Sequence, residues 1–203
     1  VSVQETEKGY RLSGPQTYAG TDGAVETDWS QAAFWYGANL LGSQVDILNL
    51  NRSSAQGDMR VVPYSQQLSR PGELDVSQCP DLVPPLAAMA AVRTGECRLT
   101  NAARLRLKES DRLATVTQTL RALGAAVEEG PDSLTFHGLP ILEGGVTVDC
   151  CNDHRIAMMA AVAACACRRP ITLLGAECVN KSYPGFWEDY RQLGGDLDVL
   201  ISG

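Results

Sequence analysis

The chain has 203 residues, enough for one domain with a real core, and its 44% hydrophobic and 20% charged content is that of an ordinary globular sequence. A formal charge of −7 argues against nucleic acid or an anionic membrane as the main partner, while leaving room for small anionic substrates held by a local cluster of Arg and Lys. Seven Cys with no Cys-x-x-Cys pair, and only two His (His137 and His154), argue against a metal site and suggest reduced thiols in a cytoplasmic protein.

In chain order, Val1–Gln4 and Tyr10–Leu12 predict a strand pair around Lys8-Gly9, followed by a turn at Ser13-Gly14-Pro15-Gln16. No charged-then-apolar leader follows Val1, so no signal peptide is expected. The missing initial Met suggests a piece cut from something longer, and residues 1–18 read as the tail of a preceding domain, with 19–203 as the domain proper.

From there the chain repeats itself three times. Asp28, Asp81 and Asp153 each open a run of small apolar residues: Ala32-Ala33-Phe34-Trp35-Tyr36, Leu86-Ala87-Ala88-Met89-Ala90-Ala91 and Met158-Met159-Ala160-Ala161-Val162-Ala163. Asp is a good N-cap, because its carboxylate accepts bonds from the free N–H groups of a first helical turn. Gly42 and Gly95 are placed to end two of these helices. A short strand is expected after each helix, at Val45–Leu48, Cys97–Thr100 and Ile171–Leu174, then a polar turn and a second helix. Two copies finish alike, with Leu-Gly before strands at Ala125–Val127 and Leu197–Leu200. The first copy is short, with Pro63 in its second helix and Arg70-Pro71-Gly72 soon after, so that region is expected to be irregular. The run Ile156–Cys167 is too short to span a bilayer. Helices apolar nearly all round are buried on every side. The expected fold class is therefore α/β with the helices packed inward and the strands outside them, an inverse barrel-like domain; an ordinary open α/β sheet is the alternative.

Three segments carry candidate chemistry. In Lys108-Glu109-Ser110-Asp111-Arg112, Lys108 and Arg112 stand four apart and are expected on one face of a helix start, where acids rather than cations belong; the misfit suggests an anionic ligand, and a solvated charge run is the alternative. In Asn152-Asp153-His154-Arg155, an Asp cap is followed by an Arg whose planar fork can grip a carboxylate or phosphate, or else by an incidental Arg and a satisfied His. In Asn180-Lys181-Ser182-Tyr183-Pro184, Lys181 lies 28 residues after Asp153, as Lys108 lies 27 after Asp81, and Pro184 fits a first helical turn. Asp81 reads as an N-cap or as a general base at a cleft-facing helix start.

Together these segments, with Gln56-Gly57-Asp58 and Pro80-Asp81, resemble the EPSP synthases, the 3-phosphoshikimate 1-carboxyvinyltransferases, from about Tyr18 onward. The resemblance implies the C-terminal domain of three repeated β-α-β-α-β-β units, in a monomeric full-length enzyme of the shikimate pathway. It implies transfer of the enolpyruvyl group of phosphoenolpyruvate to the 5-hydroxyl of 3-phosphoshikimate, with loss of phosphate and no metal or cofactor. By the family pattern, Asp81 matches the base near the hydroxyl, and Glu109 with Lys181 the acid/base at the methylene. Arg112, Arg155 and Lys181 match the phosphoenolpyruvate clamp, Lys108 matches a shikimate contact, and Asp153 and His154 belong to the same binding motif. Arg104 stands where many members carry an Asn that helps bind 3-phosphoshikimate. The N-terminal domain, which in the family supplies the other wall of the cleft, is absent, so the chain alone should not turn over. Competing readings are a non-catalytic domain of the same fold, a relative that acts on a UDP-amino-sugar and lacks the Asn-Asp-His-Arg signature, and a relative of RNA 3′-phosphate cyclase, against which the acidic charge argues.

Overall fold

Two of the three capping aspartates do what their type dictates. In the computed structural model, which describes residues 1–20 and 22–199, Asp28 accepts hydrogen bonds from the N–H of Ser30 (2.7 Å) and Gln31 (3.4 Å) and starts helix α1 (Trp29–Leu40). Asp153 accepts from the N–H of Arg155 and starts α5 (His154–Ala164). Replacing Asp28 by Ala should lower stability by about 1 kcal/mol, read by denaturant titration; a midpoint equal to that of the native chain would show that the cap is idle.

Asp81 is the exception. It lies in a 3₁₀ turn, Pro80–Leu82, that runs into α3 (Val83–Ala91), and its side chain caps nothing. Pro84 and Pro85 take up the first turn, where a missing N–H costs little. The carboxylate is thereby free for other partners.

Helices α1, α3 and α5 touch one another, and all nine residues of α3 are buried. The small side chains allow this. A Cβ on Gly37 of α1 would stand 3.2 Å from Val162 of α5 and 3.5 Å from Met89 of α3, so the three helices meet where one of them has no side chain. Strands β3 (Gly72–Asp75), β4 (Gly95–Thr100), β5 (Ala126–Glu129) and β6 (Leu134–Gly138) form a sheet in the order β3-β4-β6-β5. β3 and β4 are parallel, with α3 as the crossover between them, and the other pairs are antiparallel. Along this sheet Cys97, Leu99, Leu134 and Phe136 face the core, while Glu96, Arg98 and His137 face outward. Helix α5 is a crossover twice over: it joins β7 (Leu142–Gly144) to its parallel partner β9 (Cys167–Arg169), and β8 (Thr147–Asp149) to β10 (Thr172–Leu174). The inward-helix arrangement is thus borne out.

The first copy departs from the pattern. Val45–Leu48 forms no strand; the Asn39 amide occupies both backbone groups of Val45 instead (2.7 and 2.8 Å). Its second helix, α2 (Val61–Gln67), is only seven residues long with Pro63 inside it. The second copy, by contrast, carries a full helix, α4 (Arg112–Ala122), followed by the β5-β6 hairpin. Gly42, with φ +107°, does close α1, but Gly95, with φ +98°, opens β4 rather than closing α3. Residues 197–199 are not a strand, and Leu200 lies outside the described residues. At the other end β1 (Val3–Thr6) and β2 (Gly9–Leu12) form the expected antiparallel hairpin, exposed along its whole length.

Candidate active site

The N-terminal ends of α3, α4 and α5 converge, and the side chain at their meeting point is Arg112. It is fully buried. Its Nε and Nη2 donate to the two oxygens of Asp153 (2.7 and 3.2 Å), its Nη1 to Asp81 (2.8 Å) and its Nη2 also to Glu109 (2.5 Å). A planar fork with five donors can serve three carboxylates at once, which an ammonium cannot. Ser110 donates a further bond to Asp153 (3.0 Å).

The remaining cations surround this hub. Lys108 Nζ lies 3.0 Å from Asp81 Oδ1. Arg155 places Nη2 3.6 Å from Asp81 Oδ2 and donates through Nη1 to the Asp81 carbonyl (3.2 Å). Lys181, at the end of the 3₁₀ helix Ala176–Lys181, sits 3.4 Å from Glu109 Oε1. The structure therefore brings Asp81, Lys108, Glu109, Arg112, Asp153, Arg155 and Lys181 together. Arg104 is exposed and, among the described residues, makes no hydrogen bond or ion pair with this group.

Three expectations change in detail. Lys108 and Arg112 do not share a helical face, because α4 begins only at Arg112 and Lys108 is extended; they meet through Asp81 instead. Arg155 is not a free cation at a helix start, since Asp81 holds it and only 13% of its side chain is exposed. Pro184 stands two residues ahead of α6 (Phe186–Gln192), not in its first turn.

Burial pushes the Asp153 carboxyl up, yet Arg112, the Arg155 N–H and Ser110 outweigh it and hold the group below the usual carboxylate range. Asp81 behaves alike: burial raises it, Arg155, Lys108 and Arg112 lower it further. For Glu109 too, its backbone N–H, Arg112 and Lys181 prevail over burial. Carboxyls with depressed folded pKa values contribute stability that is complete above the unfolded value, about 4, and is lost as pH falls through the folded ones. The melting temperature should therefore fall continuously below about pH 4; a flat profile down to pH 2.5 would show that these pairs add nothing. His154 is driven the other way. Burial first, then Arg155, lower its pKa, so the ring is neutral at pH 7; its buried Nδ1 has no hydrogen-bond partner among the described residues.

Asp58 escaped sequence reasoning as a member of this neighbourhood. It is almost fully buried and accepts a hydrogen bond from Ser30 Oγ. Burial raises its pKa, against Ser30 and the nearby Arg155. The signal was present in the repeat, where Gln56-Gly57-Asp58 stands at the place of the motif lysines. A second missed feature is the turn that aims Asp153. Cys151 and Asn152 are consecutive left-handed residues (φ +53° and +51°), a conformation common for Asn and rare for Cys, and the Cys151 N–H bonds the Asp149 side chain (2.7 Å).

Comparison with known proteins gives this constellation a family. The model of the family described as EPSP synthase (3-phosphoshikimate 1-carboxyvinyltransferase) matches residues 62–190. The 3-phosphoshikimate 1-carboxyvinyltransferase of Clostridium kluyveri is 45% identical over 209 aligned residues, covering 95% of this chain. The chain belongs to the EPSP synthase family. The corresponding protein of Clostridioides difficile is 41% identical across 99% of the chain. A solved structure of EPSP synthase from Acinetobacter baumannii superposes with a TM-score of 0.80 at 25% identity, over 95% of this chain and 52% of that one. The chain spans about half the length of the curated relatives it matches, 49% and 50% for the two clostridial proteins. The EPSP synthase family model includes the Lys108–Arg112, Asn152–Arg155 and Asn180–Pro184 segments.

Proposed function

We propose that this chain supplies one wall of a transferase active site that moves the enolpyruvyl group of phosphoenolpyruvate to the 5-hydroxyl of 3-phosphoshikimate and releases phosphate. The observation that supports it best is the charge at the three converging helix ends. Four cations (Lys108, Arg112, Arg155, Lys181) are gathered around three carboxylates (Asp81, Glu109, Asp153) at helix N-termini that already favour anions, and three of the four keep some exposed side chain. Both substrates are polyanions.

In this reading Arg155, Lys181 and Lys108 meet the substrates, since each keeps some exposed side chain. Arg112 and Asp153, both sealed from solvent, hold the ends of the helices in place. Asp81 takes the proton from the attacking hydroxyl. With three cations around it, that carboxylate is a weak base at rest and strengthens as the substrates draw Arg155 and Lys108 toward themselves. Glu109, bridging Arg112 and Lys181, works with Lys181 at the methylene carbon: the Lys181 ammonium supplies the proton that the ionised carboxylate lacks, and the pair recovers it on elimination. His154 lies at the edge of this group as a neutral ring. Residues 1–18, with their exposed hairpin, are the last strands and crossover of the other domain, and that domain completes the cleft. The assembled enzyme is a cytoplasmic monomer. Among the described residues no helix is long and apolar enough to cross a membrane.

The test joins this chain to the N-terminal half of a clostridial relative. The joined protein should release phosphate from phosphoenolpyruvate only when 3-phosphoshikimate is present, and the chain alone should release none. Arg155→Ala and Arg155→Lys should each lower phosphoenolpyruvate kcat/KM by about 10- to 150-fold, since each loses a charge-assisted fork. A folded joined protein with no substrate-dependent release would refute the reading.

A further inference from the structure

Lys181 has an exposed side chain on a short segment, an arrangement that by itself would let it wander. The segment is nevertheless held from three directions. Below it, Val179 is fully buried, and its carbonyl accepts from the N–H of Ser182 (3.1 Å) and Tyr183 (2.7 Å). From the first copy of the repeat, Gln31 reaches across 151 residues of sequence and donates its Nε2 to the carbonyl of Ser182 (2.6 Å), the residue directly after Lys181. One helical turn further along α1, on the same face, Trp35 donates its Nε1 to Tyr183 Oη (3.3 Å). Tyr183 in turn donates to Asp189 Oδ2 of α6 (2.6 Å). The Tyr183 ring meets Trp35 and Phe186 edge-on.

We propose that Gln31, assisted by Trp35, is a positioning residue that fixes Lys181 beside Glu109 by clamping the backbone of the following residue. This rests on the reading of Lys181 as a phosphoenolpyruvate contact. A side-chain amide spent on a carbonyl in another copy of the repeat does little for its own helix, which Asp28 already caps through the Gln31 N–H. What it does is remove freedom from the one site cation whose side chain is more than half exposed. Tyr183 can serve as the second anchor because it stays protonated: burial first, then Asp189, push its pKa up to about 12. It therefore remains a donor to Asp189 at every pH at which the site could work.

The chain has only three lysines, Lys8, Lys108 and Lys181, so the Lys181 side chain can be followed by its own carbon-13 signal, assigned with Lys181→Arg. The variant to compare is Gln31→Met, which keeps the length of the side chain and removes the donor. In Gln31→Met the Lys181 signal should move toward that of Lys8 while Lys108 stays put. In the joined transferase, kcat/KM for phosphoenolpyruvate should fall about 2- to 12-fold, the value of one hydrogen bond, with the KM for 3-phosphoshikimate unchanged. An unmoved Lys181 signal would overturn the proposal, as would a moved signal with unaltered phosphoenolpyruvate kinetics or an equal loss for both substrates. If the signal moves but the native joined protein does not use phosphoenolpyruvate at all, the clamp stands and the proposed function fails.

Discussion

Replacing Arg112 by Ala should destabilise the chain by about 3–5 kcal/mol, the usual cost of removing one partner from a buried ion cluster. Among the described residues the guanidinium is the one Arg or Lys side chain in contact with Asp153, which is itself wholly buried, and it also serves Asp81 and Glu109. Without it, a fully buried carboxylate keeps only the Ser110 hydroxyl and the Arg155 N–H, and must either ionise uncompensated or take up a proton. For a domain of this size, 1 kcal/mol moves the melting temperature by about 2–4 °C, so the expected fall is roughly 6–20 °C. Arg112→Lys should recover little of it, since an ammonium on a flexible stem cannot match three carboxylates with fixed geometry. A melt of Arg112→Ala within about 2 °C of the native chain would mean that the cluster rearranges at no cost.

Phe186→Ala should cost about as much, roughly 3–5 kcal/mol, for a different reason. The ring is fully buried and packs on Trp35 (centroids 5.4 Å apart, stacked), Tyr183 (5.5 Å, edge-on) and Trp187 (4.9 Å, edge-on). Its removal leaves a cavity among large rings that cannot all collapse into it. The loss should be felt locally too. Amide protons of Val179–Tyr183 should exchange faster relative to those of α3 than in the native chain, because Phe186 is the floor under the segment that carries Lys181. Uniformly accelerated exchange would indicate that the segment opens only with the whole domain. By contrast Tyr183→Phe, which keeps the ring and removes the bonds of its hydroxyl to Asp189 and Trp35, should cost about 1–3 kcal/mol.

The two substitutions differ in how far they could be foreseen. Phe186 stands beside Trp187 directly after Pro184-Gly185, and its burial follows from its type. Arg112 offered the opposite expectation. A charged residue at a helix start reads as exposed, and the motif around it reads as a surface that meets a ligand. Its burial depends on Asp81 being free of capping duty, on Asp153 facing α4, and on the close approach of α1, α3 and α5 that Gly37 and the alanines permit. None of these is a property of the residues flanking Arg112. The strand expected at Val45–Leu48 failed for a related reason: a ladder needs backbone groups free to pair with a neighbour, and those of Val45 are taken by the Asn39 amide.

The sequence alone determined the elements whose causes are local or periodic. Asp28 and Asp153 as caps follow from first-turn hydrogen bonding, the buried helices from their all-round apolar composition, and the short, broken second helix of the first copy from Pro63. The order and spacing of the three charged motifs were likewise sufficient to point to the family that the comparisons show. Only the tertiary structure decided how those charges pair. An ion takes the partner that burial and distance assign to it, and here the contenders stand 31 and 41 residues apart for Arg112, 74 for Arg155 and 72 for Lys181. Coulomb interaction between such groups depends on separation in space and on the surrounding dielectric. Both are set by the packing of three repeats around one set of helix ends, and a linear spacing carries neither.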